Sequence, residues 1–160
     1  MNRLSPPHQG QALAIVVIAL DQLTKWWILA VVMVPPRLID ITPFFNLVVV
    51  MNPGASFGLF SEAPGWMPWM LTGFALVISL VLLIWLRRTD NRLLASALGL
   101  VMGGAMGNVV DRVRFGAVVD FLDLHAAGVH WPAFNVADSA ITVGVGLLIL
   151  DALKSNPNSP

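Results

Sequence analysis

The chain carries nine acidic side chains in 160 residues, and two of them, Asp120 and Asp138, are placed to work together. Asp120 follows Val118-Val119 just beyond one apolar stretch. Asp138 opens the next stretch, on one helical face with Asn135 and Thr142. An antiparallel helix pair brings the end of one element beside the start of the following one, so the two carboxylates are expected to meet. Two carboxylates in one site do not both ionise cheaply, and one keeps a proton. Such a dyad supplies a base that activates water and an acid that protonates a carbonyl or a departing amine. The plainer reading makes Asp120 a loop residue and Asp138 a helix N-terminal carboxylate favoured by the helix dipole.

Other polar residues lie close in sequence to this pair. Asn108, Asp111 and Arg112 follow a stripe of Gly99, Gly103 and Gly107, with Asn108 and Arg112 on one face. The glycines suit close helix packing, and the amide, carboxylate and guanidinium suit a solvated helix end or a grip on a peptide backbone. Asp111 is expected to pair with Arg112 or Arg114, and Asp123 to be an exposed loop residue. Asp21 lies roughly 15 Å into an apolar stretch, with Lys25 one turn further along. Charges at such depth are functional candidates or an internal ion pair; here they are expected to support the site. His125 and His130 with Asp120 or Asp123 could ligate a metal, but no His-Glu-x-x-His pattern is present, and solvated loop histidines are expected. Ser56, Ser61, Ser79, Ser96 and Ser139 have no histidine or lysine in a recognisable arrangement, and there is no cysteine. No metal or cofactor is expected.

The elements that must hold these residues are apolar. Hydrophobic residues make up 57% and charged residues 11%, against about 25% charged in a soluble domain. Equal numbers of acidic and basic groups leave no basic stripe for nucleic acid. Four stretches, Ala12–Val34, Met67–Leu86, Leu93–Val110 and Phe134–Leu153, have the length to cross a bilayer. In lipid such stretches must be helices. The expected fold is therefore one all-α membrane domain over residues 1–160 with four transmembrane helices. The first stretch is too long and too polar for a cleavable leader and is expected to stay in the mature chain. Arg87, Arg88 and Arg92 cluster between the second and third helices, and with Arg3 and Lys154 they outnumber Arg37, Arg112 and Arg114. Both termini are then expected in the cytoplasm. Between the first two helices, Phe44–Met51 reads as extended and ends in the Asn52-Pro53-Gly54 turn signal. It predicts a small β-like cradle on the outer face. Trp66, Trp69 and Trp131 are expected at the membrane interface.

Five motifs, in order, resemble one known family. Asp21-Gln22-Leu23-Thr24-Lys25, Asn52-Pro53-Gly54-Ala55-Ser56-Phe57, Gly103–Arg112, Val118-Val119-Asp120-Phe121 and Phe134–Ser139 look like those of the lipoprotein signal peptidases (signal peptidase II). The resemblance runs from residue 21 to residue 142. It implies an intramembrane aspartic peptidase of the bacterial inner membrane that cuts prolipoproteins before a diacylglyceryl-modified cysteine, near the periplasmic face. It implies Asp120 and Asp138 as the catalytic pair. Asn52, Gly54, Asn108, Arg112 and Asn135 would bind substrate, supported by Asp21, Lys25 and Asp111. Globomycin-type inhibitors and membrane lipid are implied partners. In the family the turn usually reads Asn-Thr-Gly-Ala-Ala-Phe-Ser; here Pro53 and Gly58 differ, and Pro53 removes a backbone donor, so a stiffer turn is expected. From the residues alone, a small transporter lined by Asp21, Lys25 and Asp138 is the alternative, and a scaffold packed through the glycine stripe is another.

Overall fold

The computed structural model describes residues 4–54 and 64–154. Arg3, the Ala55-Ser56-Phe57 part of the turn motif, Gly58 and Ser61 lie outside the described residues. Four helices are long and apolar enough to cross a membrane, and a small antiparallel sheet lies at one end of them.

Helix α1 spans Pro6–Trp27 and begins earlier than the apolar stretch indicates. Its polar first turns escape a hydropathy reading, but Pro6 and Pro7 fit where an N–H has no partner anyway. A π-helical turn, Ile28–Val32, extends it. Strands β1 (Ile39–Thr42) and β2 (Phe45–Asn52) follow. Helix α2 occupies Met67–Leu86, the whole of the charge-free run. Helix α3 spans Arg92–Phe115, starting where the Asn91 side chain accepts from Leu93 N and Leu94 N, and ending at Gly116 in the left-handed region. It runs five residues past the expected end at Val110, so Asn108, Asp111 and Arg112 all ride on one helix. Strands β3 (Val118–Ala126) and β4 (Val129–His130) turn over at Ala127-Gly128, both at positive φ, as a two-residue hairpin requires. Helix α4 spans Val136–Lys154.

The sheet order is β1-β2-β3-β4, with Asn46 opposite Asp123, Val50 opposite Asp120 and Asn52 opposite Val118. The segment between α3 and α4 thus supplies two strands of the sheet. Its strand β3 holds Asp120 by a backbone ladder, where a neighbouring helix end had been expected to do so. Asp123 corrects the sequence reading as well: it is 6% exposed, on β3 and not in an open loop. It accepts from Asn46 Nδ2 at 3.1 Å, and His130 Nδ1 lies 2.9 Å away. Burial pushes its carboxyl up, but the hydrogen bonds from His130 and Asn46 outweigh this and hold it below the usual carboxylate range. The stability it contributes is present above the ordinary carboxylate pKa and is lost as pH falls through the lowered one. We expect Asp123→Asn to cost about 1–3 kcal/mol in thermal unfolding at pH 7, because one of its two donors loses its acceptor. A loss under about 0.5 kcal/mol, as at an open surface, would contradict this placement.

Helix α3 is the central one: 56% of its apolar window is buried, against 17–22% in the other three. The glycine stripe explains how. A Cβ at Gly99 would collide with the Gly10 backbone, one at Gly103 with Ala14 at 2.8 Å, and one at Gly107 with the Asp21 carboxylate at 2.7 Å. The α1–α3 seam is therefore backbone against backbone. Large apolar side chains such as Leu23, Phe74 and Val77 stay more than half exposed on the outside, the pattern of a lipid-facing surface. At the end away from the sheet, Arg92 donates to Gln9 and to Leu4 O, and Asn91 donates to Asp151. The basic link and the carboxylate pair are thus at opposite ends of the bundle.

Candidate active site

Asp120 and Asp138 line one cleft of about 300 Å³, together with Asn52, Gly54, Asn108 and Arg112. Leu71 of α2, Val118 of β3 and the Trp131–Phe134 segment complete its walls. Two backbone features bring the carboxylates there. Phe134 O accepts from Phe121 N and Leu122 N, and Phe134 N donates back to Leu122 O. The chain entering α4 is therefore bonded to β3, and Asn135 falls beside Asp120.

Asn135 then joins the two acids. Its Oδ1 accepts from Asp138 N at 2.9 Å, and its own N donates to Asp138 Oδ2 at 3.2 Å. This reciprocal pair is a capping box that starts α4, legible in the sequence as Asn135-Val136-Ala137-Asp138. With its Oδ1 so engaged, the amide turns its nitrogen to Asp120 Oδ1, 2.7 Å away.

Asn52 and Asn108 complete the clamp. Asn52 Oδ1 accepts from Gly54 N at 3.0 Å, which leaves Nδ2 to donate to Asp120 Oδ2 at 3.0 Å. Gly54 sits at φ 123°, and a Cβ there would strike Leu71, so both the turn and the wall of α2 require glycine. Asn108 Nδ2 donates to Asp138 Oδ1 at 2.8 Å. All three of these asparagine amides therefore donate to carboxylates of the pair. Asn135 is fully buried and does not line the cleft. Arg112 faces the cleft with a buried Nε that has no partner among the described residues.

Burial raises the Asp120 carboxyl to about 6. The Asn52 hydrogen bond works downward, the Asp138 charge adds to the rise, and the Asn135 bond again opposes it. Asp111 does not pair with Arg112 or Arg114. Its partner is Lys25 at 2.7 Å, and Lys25 also reaches Asp21 at 2.8 Å. Sequence reasoning passed over Gln22, whose Nε2 donates to Asp111 Oδ1 at 2.9 Å and to Gly107 O; an amide beside Asp21 inside an apolar run was the available signal. His125 and His130 stack at 4.9 Å on the sheet. Among the described residues no three His, Cys, Asp or Glu side chains gather as metal ligands.

The arrangement is a hydrogen-bonded carboxylate pair, Asp120 buried and Asp138 half-buried, at one cleft, and the chain as a whole is similar to known proteins. The family model described as Signal peptidase (SPase) II matches residues 13–154. The lipoprotein signal peptidase of Azoarcus sp. (strain BH72) is 49% identical over 149 residues, 92% of this chain and 84% of the relative. That of Cupriavidus necator is 48% identical over 150 residues, 92% of this chain and 85% of the relative. Among solved structures, a bacterial membrane enzyme determined in meso at 2.3 Å superposes with a TM-score of 0.79 at 32% identity. The match covers 94% of this chain and 91% of that one. The matched span contains both aspartates, their asparagine clamp and nearly all of the four apolar helices, and the chain belongs to the signal peptidase II family of membrane proteases.

Proposed function

We propose that this chain removes the signal peptides of bacterial prolipoproteins, cutting before a cysteine that bears a diacylglyceryl group, with Asp120 and Asp138 as the catalytic pair. The observation that carries this reading is Asn135, whose side-chain amide donates to the Asp120 carboxylate and whose backbone N donates to that of Asp138, both at one cleft. The pair reacts with one proton shared between its two carboxyls, in the form where Asp120 is the acid and Asp138 the base. Asp138 takes a proton from a water whose oxygen attacks the scissile carbonyl carbon, while Asp120 gives its proton to the carbonyl oxygen. In the gem-diol that results, Asp138 returns its proton to the leaving nitrogen and a diol hydroxyl returns one to Asp120. The C–N bond breaks and the starting pair is restored. Only water and the two acids are consumed or regenerated, so no cofactor takes part.

Arg112 and the Gly54 backbone face the cleft and would hold the substrate backbone directly. Asn52, Asn108 and Asn135 serve substrate binding through the carboxylates they orient, and Asp21, Lys25 and Asp111 support them from behind. The chain would sit in the inner membrane as one domain, with Arg87, Arg88 and Arg92 and both termini on the cytoplasmic side. The sheet then forms a cradle at the periplasmic face, membrane lipid surrounds the helices, and the diacylglyceryl tails of the substrate stay in the bilayer. Globomycin-type inhibitors would compete for the same cleft. The charges of Asp21, Lys25 and Asp111 satisfy one another, which suits a brace better than the open row of sites of a transporter.

The test is cleavage by the purified protein in lipid vesicles, read by mass spectrometry. A diacylglyceryl precursor should yield a free signal peptide and a product that begins at the lipidated cysteine, and the unlipidated precursor should stay uncut. Ion flux across the vesicles without cleavage would replace the reading with the transporter. The raised Asp120 carboxyl adds a pH signature. The proton needed on the pair is lost as pH rises through about 6, so kcat/KM should fall on the alkaline side with a limb near that value, belonging to the pair as a whole. A profile flat from pH 5 to pH 9 would contradict it.

A further inference from the structure

Lys25 is a cation, 2% exposed, that no proton transfer above uses. An ammonium has three N–H groups and no acceptor, and this one has three acceptors. They are Asp21 Oδ2 at 2.8 Å, Asp111 Oδ2 at 2.7 Å and Asn108 Oδ1 at 3.2 Å. The two carboxylates anchor it to backbone beside both dyad residues. Asp21 Oδ1 accepts from Ala137 N at 3.0 Å, in the first turn of α4 one residue before Asp138. Asp111 Oδ2 accepts from Val119 N at 3.0 Å, one residue before Asp120. Neither of those backbone bonds needs the ammonium. The Asn108 contact is different in kind. A side-chain amide fits the same space in two orientations, carbonyl and nitrogen exchanged. Two donors select the one with its oxygen toward them, Lys25 Nζ and Asn135 Nδ2, each at 3.2 Å, and of the two only Lys25 has no acceptor of its own to offer instead. The nitrogen then faces Asp138 Oδ1 at 2.8 Å; flipped, the amide would set its oxygen against that carboxylate.

We propose that Lys25 is a positioning residue for the reaction, fixing the Asn108 amide, together with Asn135, so that it donates to Asp138. This rests on the reading of Asp120 and Asp138 as the catalytic pair. A buried ion cluster that only braced α1 against α3 would give the same distances to Asp21 and Asp111 and would leave the amide without consequence.

A mutant cycle separates the two. Lys25→Met, Asn108→Ala and the double variant are compared with wild type for kcat, KM and thermal unfolding, with Asp120→Asn and Asp138→Asn alongside. Misorientation of one supporting group beside the reacting centre costs on the order of 10- to 100-fold. Lys25→Met should therefore lose about that much kcat with KM changed by less than about threefold, the split expected for a group that acts in the transition state. Because Lys25 acts through Asn108, the double variant should be no slower than the worse single one by more than about threefold. A Lys25→Met kcat near wild type overturns the proposal, and so do losses that multiply in the double variant. Lys25→Met strands two buried carboxylates, so Lys25→Gln, with two N–H donors, is measured in the same cycle. Loss of folded protein in both overturns the proposal too, since Lys25 would then serve the fold itself. Turnover surviving in Asp120→Asn or Asp138→Asn would instead overturn the dyad reading on which the proposal stands.

Discussion

Replacing Asp120 or Asp138 by Asn should leave a folded protein whose cleavage of a lipidated precursor is slower by on the order of 10⁴-fold. The amide nearly matches the carboxyl in shape but cannot pass a proton to or from water. For Asp120 the thermodynamic sign supports a clean result. Its carboxyl is raised from 3.8 to about 6 in the folded chain, so the neutral form is favoured on folding. The ionised form destabilises the fold increasingly as pH rises from about 4 to about 6, by roughly 3 kcal/mol at neutral pH. Asn removes that charge. It also sets its own NH₂ against one of the two donors, Asn52 or Asn135, a mismatch of about 1–3 kcal/mol. The two effects offset, and the thermal midpoint of Asp120→Asn at pH 7.5 should lie close to wild type. A dead variant that is also unfolded would say nothing of chemistry; a folded variant with wild-type turnover would sink the assignment.

Asn135 carries the second large effect. It starts α4 and also ties Asp138 to Asp120, and the substitution Asn135→Ser splits these jobs. Serine caps helices about as well as asparagine, so Asp138 N keeps an acceptor. The shorter side chain has no second arm to reach Asp120, and that oxygen loses its closest donor. We expect kcat to fall by about 10²–10³-fold, the scale for losing one preorganised donor at a reacting centre, with stability within about 1–2 kcal/mol of wild type. Asn135→Ala loses the cap as well and should unfold at lower temperature than Asn135→Ser while being no faster. If Asn135→Ser kept wild-type turnover, the amide would be a helix cap alone.

How much of this could be read from residues alone depended on which force fixed each element. The apolar run Met67–Leu86 ends where α2 ends, because nothing but hydropathy decides a charge-free span. The end of α3 escaped, since Asp111 and Arg112 look like a polar exit while Lys25 and Val119 hold Asp111 inside. Partners 86 and 8 residues away leave no local signal. Strand β2 was legible from its β-branched run, but β3 was not. Its polar Asp120, Asp123 and His125 interrupt any apolar alternation, and the strand exists because β2 and Phe134 offer it ladder partners. The same blindness put Asp123 in an open loop. Asp120 and Asp138 were singled out by residue type and motif context, and the structure sets both at one cleft; the amides that hold them there were not legible. A sequence does not reveal which carboxylate an asparagine amide already holds.

The glycine seam between α1 and α3 has a consequence for the solvent in which this protein works. Bilayers differ in hydrocarbon thickness, and helices answer mismatch by tilting or by shifting against their neighbours. Where side chains interdigitate loosely, one helix can slip along another. Here Gly99 meets the backbone at Gly10 and Gly107 meets the Asp21 carboxylate, so the two helices answer a thinner or thicker membrane as a single rod. Lys25 on one and Asp111 on the other, 2.7 Å apart, bridge the same seam. A change of lipid is therefore expected to tilt the two helices together, with no slip of one along the other.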